Sequence, residues 1–306
     1  MKTTFSLPLR FAQNGMKRIP IGLVVAAGIF LHHSAMANPA TVDLGTASDF
    51  ALLAYSEITD AGGVSTITGN VGLSPTTGAA IGLTSGQVNG TIYAVDAAGP
   101  GGSVNDPALL TTAKNDLSTA YTDANGRAAT SLAGGDNQLG GRTLNAGVYS
   151  ISAAATANLI GTLTLNGQGN PNAVFIIQCS STLVTASDSS VELIGDAQAC
   201  HVFWVVDSSA TLGTYTDFVG NILAYASIGL DTGATLDGRA LAENGAVTLD
   251  HNTITEAICN ASGVPDTGST FLLLGFGVAT LFAFKALSAW QRSGSLIAGG
   301  PVHPSI

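Results

Sequence analysis

The chain is 306 residues long, 46% apolar but only 10% charged, with ten Lys and Arg against twenty Asp and Glu. So acidic a surface is repelled by nucleic acid and anionic lipid, which excludes polyanion-binding classes. In chain order, the first element is a basic region with Lys2, Arg10, Lys17 and Arg18, followed by the apolar run Ile21 to Leu31 and then Ala35-Met36-Ala37. This is the three-part layout of a secretory signal peptide. The run is shorter than the roughly 20 residues that span a bilayer, so a signal peptide over 1–37, cleaved near Ala37, and an exported body are expected.

The body, 38–260, is long enough for one large domain with a sizeable core. It opens with short strands at Phe50 to Tyr55, Ser65 to Thr68 and Gly69 to Gly72, punctuated by Gly and Asn. From Ser74 to Asn105 the periodicity fades and Gly, Pro and Ser rise, so 74–105 is expected as a compact irregular capping insertion. Asp106 and Pro107 then supply an N-cap and a first-turn proline, and Leu110, Ala113, Leu117, Ala120, Tyr121 and Ala124 recur at helical spacing. One amphipathic helix is expected over 106–125, ended by Gly126 in a left-handed conformation, its apolar stripe lying along one face of the rest.

Strands resume at Gly141 to Ser150 and Leu163 to Leu165, and Ala173 to Ile254 repeats one short phrase imperfectly. Val174-Phe175 with Ser180 to Leu183 returns as Val202-Phe203 with Ser208 to Leu212. Phe218 to Ala224 returns as Leu236 to Ala242, offset by eighteen residues between Gly220 and Gly238. Such a period, filled with short apolar runs and small turns, predicts a β-solenoid, right- or left-wound, whose coils stack because none buries its apolar face alone.

Without its ends the body keeps Lys114, Arg127, Arg142 and Arg239 against nineteen acids, a net charge of about −15. Cys179, Cys200 and Cys259 allow at most one internal bridge in an exported chain, and the pair stays open. Their wide spacing is not that of a metal site, and no cofactor is expected.

Within the coils, hydroxyl residues fall beside apolar ones: Thr182, Thr185 and Ser187; Ser209, Thr211, Thr214 and Thr216; Thr232 and Thr235; Thr248. Alternate strand residues share a face, so these ten are expected on a flat exterior array while Leu183, Leu212, Phe218, Leu230, Leu236 and Leu249 point inward. A rigid grid of hydroxyls and methyls, poor in long charged side chains, suits contact with a neutral, ordered water lattice. Asp188, Asp217 and Asp231 sit beside the array.

The run Leu44 to Phe50, the turn Gly69 to Pro75, Leu144 to Tyr149, Gly167 to Ile176, Gly220 to Ala224 and Gly238 to Ala242 together resemble the DUF3494 ice-binding protein family. The resemblance implies a mainly β, discontinuous three-faced solenoid with one long helix alongside, a capping insertion, no enzymatic activity and a flat face that binds ice. Thr-Gly/Ala-x-Thr/Asn segments mark that face in some members. Thr232-Gly233-Ala234-Thr235 fits, and Thr185-Ala186-Ser187-Asp188 fits in part.

The last element, Val264 to Thr270, the apolar run Phe271 to Phe284, and Lys285 and Arg292, resembles the PEP-CTERM class of sorting tails in its Val-Pro-Asp variant. It implies transient membrane association of a tail over 264–306, and a secreted or cell-surface body; the alternative is a plain C-terminal membrane anchor. The expected partner is ice, bound by a monomer. Two other readings remain: a surface adhesin without ice activity, and a polysaccharide-degrading solenoid enzyme. The latter is disfavoured because Arg142, Arg239, His201 and His251 are the only candidate bases outside the helix region.

Overall fold

The computed structural model describes residues 38–260, apart from residue 63 and the stretches 133–136 and 152–155. The expected signal peptide and tail lie outside the described residues. Within each coil the chain makes three short strands in a fixed order. One coil runs Leu183–Thr185, Ser190–Ile194, Val202–Val206. The next begins at Ala210–Leu212 and continues through Asp217–Ala224, and the one after begins at Ile228–Leu230 and continues through Thr235–Ala242. Each strand pairs in parallel with its counterpart one coil away, which satisfies the strand backbone of the interior coils.

Three faces result. The first strands form a 6-stranded sheet, the open face, in the order Ala157–Leu159, Leu183–Thr185, Ala210–Leu212, Ile228–Leu230, Val247–Leu249, Ile58–Asp60. The second and third sets belong to one 16-stranded sheet that bends at a corner into a flank face and a covered face. Asp217–Ala224 and Thr235–Ala242 pass through that corner at Gly220 (φ 114°) and Gly238 (φ 159°). A Cβ on Gly238 would lie 1.9 Å from the Gly220 carbonyl oxygen, so only glycine fits.

Helix α1, Pro107–Gly126, lies on the covered face. The Asp106 carboxylate accepts from Leu109 N at 2.9 Å, and the buried Leu110, Ala113, Leu117, Ala120 and Ala124 pack against Ile176, Phe203, Val205, Leu223 and Leu241. The strands beneath are therefore buried on both sides, as in a parallel sheet with both faces covered. Gly126 corrects the expectation: it is the last helical residue, and Arg127 follows it in an extended conformation (φ −74°, ψ 139°). No left-handed cap is needed, because Gln178 Nε2 donates to the carbonyls of Ala124 at 2.9 Å and Arg127 at 2.8 Å.

The helix also explains the discontinuity. Along the covered face the order is Val104–Asn105, Ile92–Ala94, Asn70–Leu73, Phe50–Ala54, Thr235–Ala242, Asp217–Ala224, Val202–Val206, Phe175–Cys179, Gly147–Ile151, Thr130–Ser131. Phe50–Ala54 thus stacks on Thr235–Ala242, in register Leu52 with Ala240, so the first coils sit on the last. The helix, about 30 Å long, returns the chain from one end of the stack to the other. Residues 74–105 lie at the end of the stack, and only their expected irregularity is corrected, because they follow the coil path: Ile81 bridges Ile58, Val88–Asn89 pairs with Thr66–Thr68, and Ile92–Ala94 pairs with Asn70–Leu73. Strands of two or three residues are too short to carry a readable alternation.

Lys114 ties the helix down. Its Nζ donates to the carbonyls of Ala242 and Glu243 at 2.7 and 2.6 Å, and lies 5.5 Å from the Tyr55 ring centre. Burial pushes its pKa down to about 8, opposed in part by Glu243. Between that value and the ordinary 10.5 the unfolded chain holds more protons than the folded one, so stability rises with pH across the window, by on the order of 2 kcal/mol. Tyr121, donating to Asp207 at 2.7 Å, is pushed well above its ordinary value by burial, which makes stability fall once unfolded tyrosine ionises above pH ~10. Melts are expected to peak near pH ~10, and Lys114→Met to lack the rising limb. A limb that survives in the variant assigns the effect to another group.

Candidate functional site

On the open face the middle residue of each strand points outward and its neighbours inward. Parallel register aligns Asn158, Val184, Thr211, Gly229, Thr248 and Thr59 in one row across six coils. Successive members are about 4.8 Å apart. The row carries no charge and no long side chain. Two residues earlier, roughly 6.6 Å along each strand, lies a flanking row of Thr156, Thr182, Ser209, Ser227, Ala246 and Glu57. Its hydroxyls are held: Thr182 Oγ1 donates to Thr156 Oγ1 at 3.0 Å, and Ser209 and Ser227 accept from the backbone of Ser227 and Ala246 at 3.3 and 3.1 Å. Beneath, Leu183, Leu212, Leu230 and Leu249 are buried as expected, with Phe218 and Leu236 buried under the flank face.

The ten expected residues divide. Thr182, Ser209, Thr211 and Thr248 are on the open face. Ser187, Thr214 and Thr232 occupy the corner between the open and flank faces, and Thr235 lies on the flank face. Thr185 and Thr216 are corrected outright, being 3% and 0% exposed. Their hydroxyls share a hydrogen bond of 2.8 Å inside the corner, where Thr185 accepts from Gly213 N at 2.8 Å and Thr216 donates to the Ala186 carbonyl at 3.1 Å. They satisfy turn backbone that no strand pairs. The corner also resets the alternation: a left-handed residue recurs there, at Asp188, Tyr215, Gly233 and His251, so parity counted across it assigns the wrong side.

Thr232 to Thr235 is this corner in one coil. Thr232 Oγ1 donates to Asp250 Oδ2, Gly233 is left-handed, Ala234 is buried, and Thr235 Oγ1 donates to Asp217 Oδ1 at 2.8 Å. The segment is therefore partly a folding device. Hydrogen bonds from Thr232 and His251 hold the Asp250 carboxyl below its ordinary value.

The flank face is different chemically. Thr253 aligns with Thr66 and Thr255 with Thr68, four exposed threonines missed in the sequence reading. Glu192, Asp217 and Asp237 interrupt the same surface, and partial burial raises the Asp237 carboxyl. Carboxylates hold their own hydration water and break a neutral array. Thr59 and Thr156, missed on the open face, belong to coils whose phrase the repeat did not display, whereas Ser227 and the row members Asn158, Val184 and Gly229 were missed because only in-register stacking puts them on that face. Thr59 lies far upstream of the rest, and only stacking of the first coils on the last brings it into the row.

Among the described residues, three of the candidate bases are held apart by separate partners. His201 Nδ1 faces the Pro171 carbonyl at 3.2 Å, and His251 Nδ1 pairs with Asp250 at 2.6 Å. Arg239 is buried against Asn221, Glu256 and the Ser48 and Ala257 carbonyls. Cys200 and Cys259 form the disulfide, and Cys179 is buried, with burial pushing its thiol up.

A family model described as ice-binding-like matches residues 52–255, and a VPDSG-CTERM motif matches residues 263–288. The chain is 42% identical over 270 residues to an ice-binding protein of Nostoc sp. (strain HG1), covering 86% of this chain and 94% of that one. It is 42% identical over 240 residues to an ice-binding protein of Colwellia sp., covering 78% and 92%. Among solved structures it is similar to an ice-binding protein from an Antarctic biological consortium, with a TM-score of 0.62, 39% identity, and coverage of 72% of this chain and 93% of that one. It is also similar to the DUF3494 domain of a Shewanella frigidimarina ice-binding protein, with a TM-score of 0.64, 32% identity, and coverage of 72% and 99%. In both, the matched region takes up nearly all of the solved chain.

Proposed function

The chain belongs to the ice-binding-like family, and from that premise we propose that it binds ice through the open face, with Thr211, Thr248, Thr59 and Val184 at the centre and Thr182 and Ser209 at the side. The observation that carries this reading is the uncharged row of six outward residues on a backbone held rigid by parallel ladders. Hydroxyls anchor water along the row, and the methyls of Val184 and the threonines confine the water between them. The rigidity matters because an ordered layer forms without the protein losing further conformational entropy. Corner residues Ser187, Thr214 and Thr232 extend the surface at its edge.

The proposed organisation is a signal peptide over 1–37, a monomeric ice-binding body over 38–260, and a tail over 264–306. The tail carries the sorting motif, so the body acts in the medium or at the cell surface after transient membrane association. Purified 38–260 is expected to shape growing ice crystals, depress their growth temperature and suppress recrystallisation. A folded protein that leaves crystal shape and grain size unchanged would overturn the ice reading.

A further inference from the structure

Every coil runs from open face to flank face to covered face, so the corner between the flank and covered faces lies across the solenoid from the open face. Both ends of the body are fastened along that corner. At the start, Asn38 Nδ2 donates to the Asn172 carbonyl at 2.7 Å, and Asn38 Oδ1 accepts from Val174 N at 2.8 Å. At the finish, the chain leaves its last strand, Thr253–Thr255, and crosses coil edges instead of beginning another coil. Arg239 Nη1 holds the Ala257 carbonyl at 2.9 Å, Cys259 is bridged to Cys200, and Asn260 N donates to Gln198 Oε1 at 2.7 Å. Cys200 lies two residues before Val202–Val206, an interior covered-face strand two coils on from Thr235–Ala242, so the covalent bond reaches into the stack, while hydrogen bonds alone hold the neighbouring residues.

We propose that this strap is the mount through which a surface-tethered domain takes mechanical load. The tail pulls at the corner opposite the open face, which turns that face away from the cell, and the Cys200–Cys259 bridge passes the load into the stack instead of peeling Thr253–Thr255 from its neighbours. The protein then holds cells to ice, a function beyond modifying ice growth in solution. The proposal rests on the open face binding ice.

The test compares the body free in solution with the same body carried on beads by a biotinylated peptide placed after Asn260. Bead-borne wild type is expected to adhere to an ice surface under flow. Cys200→Ser/Cys259→Ser, and wild type treated with a phosphine reductant, are expected to shape ice normally in solution but to lose beads at several-fold lower shear. The reductant arm serves if the double variant fails to fold. Normal shaping in solution with no adhesion of wild-type beads overturns the outward orientation. Equal shear resistance with and without the bridge overturns the mechanical role of the strap. Absence of ice shaping by the free protein is a different result, and overturns the underlying assignment of the ice face.

Discussion

Thr248→Tyr is expected to abolish most of the growth-temperature depression while changing stability by no more than about 0.5 kcal/mol, the ordinary range for an exposed site. Thr248 is exposed and sits between Gly229 and Thr59 in the central row, with its strand neighbours Val247 and Leu249 buried beneath it. A tyrosine there stands well above the plane set by glycine and threonine, so the face meets a crystal at one point and the remaining coils lose contact. The loss is out of proportion to one residue because adsorption to a lattice needs the whole row in register at once. Thr211→Tyr is expected to act the same way. The control is Thr255→Tyr on the flank face, also exposed, with Thr68 on one side and Asp237 on the other, which is expected to keep nearly full activity. Crystal growth measured beside chemical unfolding decides the matter. If Thr255→Tyr is the damaging change, the ice face is the flank face despite its carboxylates.

Arg239→Leu is expected to cost about 3–5 kcal/mol, the range for removing one partner of a buried charged network. The guanidinium donates to the Ser48 carbonyl at 3.0 Å, to Asn221 Oδ1 and the Ala257 carbonyl at 2.9 Å each, and to Glu256 at 2.8 Å. Burial pushes its pKa down, while Glu256 and Asp49 pull it back up. Ser48 belongs to the start of the body and the other partners to its last coils, so Arg239 joins segments at the seam where the first coils stack on the last. Leucine leaves two carbonyls and the Asn221 side chain without their partner in a buried corner. Hydrogen exchange is expected to show the seam strand Phe50–Ala54 opening before the middle coils. Glu256→Gln, at a half-buried position that still accepts a hydrogen bond, is expected to cost far less. A midpoint shift for Arg239→Leu no larger than that of Glu256→Gln would show that the seam is held by apolar packing alone.

The helix was legible because its signals are local: a cap at Asp106, a proline at Pro107 and a stripe from Leu110 to Ala124. The inward leucines were legible for the same reason, since their alternation lies within single strands. Thr185 and Thr216 were misread because the chain turns between them and their neighbours, and a left-handed residue at each corner breaks the count. The cysteine pair was not readable, since nothing near Cys259 in sequence says that the strap returns along the corner to Cys200.

The type of object is written in the sequence: an acidic chain whose recurring phrase demands stacked coils, whose one helix must lie against them, and whose surface is rich in threonine and poor in long charged groups. Those are consequences of composition, period and local capping, which act over a few residues. The tertiary structure alone decided which hydroxyls share a plane, because membership of a face depends on where each corner falls and on which coil stacks on which. Thr59 joins Thr248 through a seam between coils far apart in the chain, while Thr216, a few residues beyond Thr211, is buried inside a corner. Register between distant coils is set by packing of the whole stack, and no local preference encodes it.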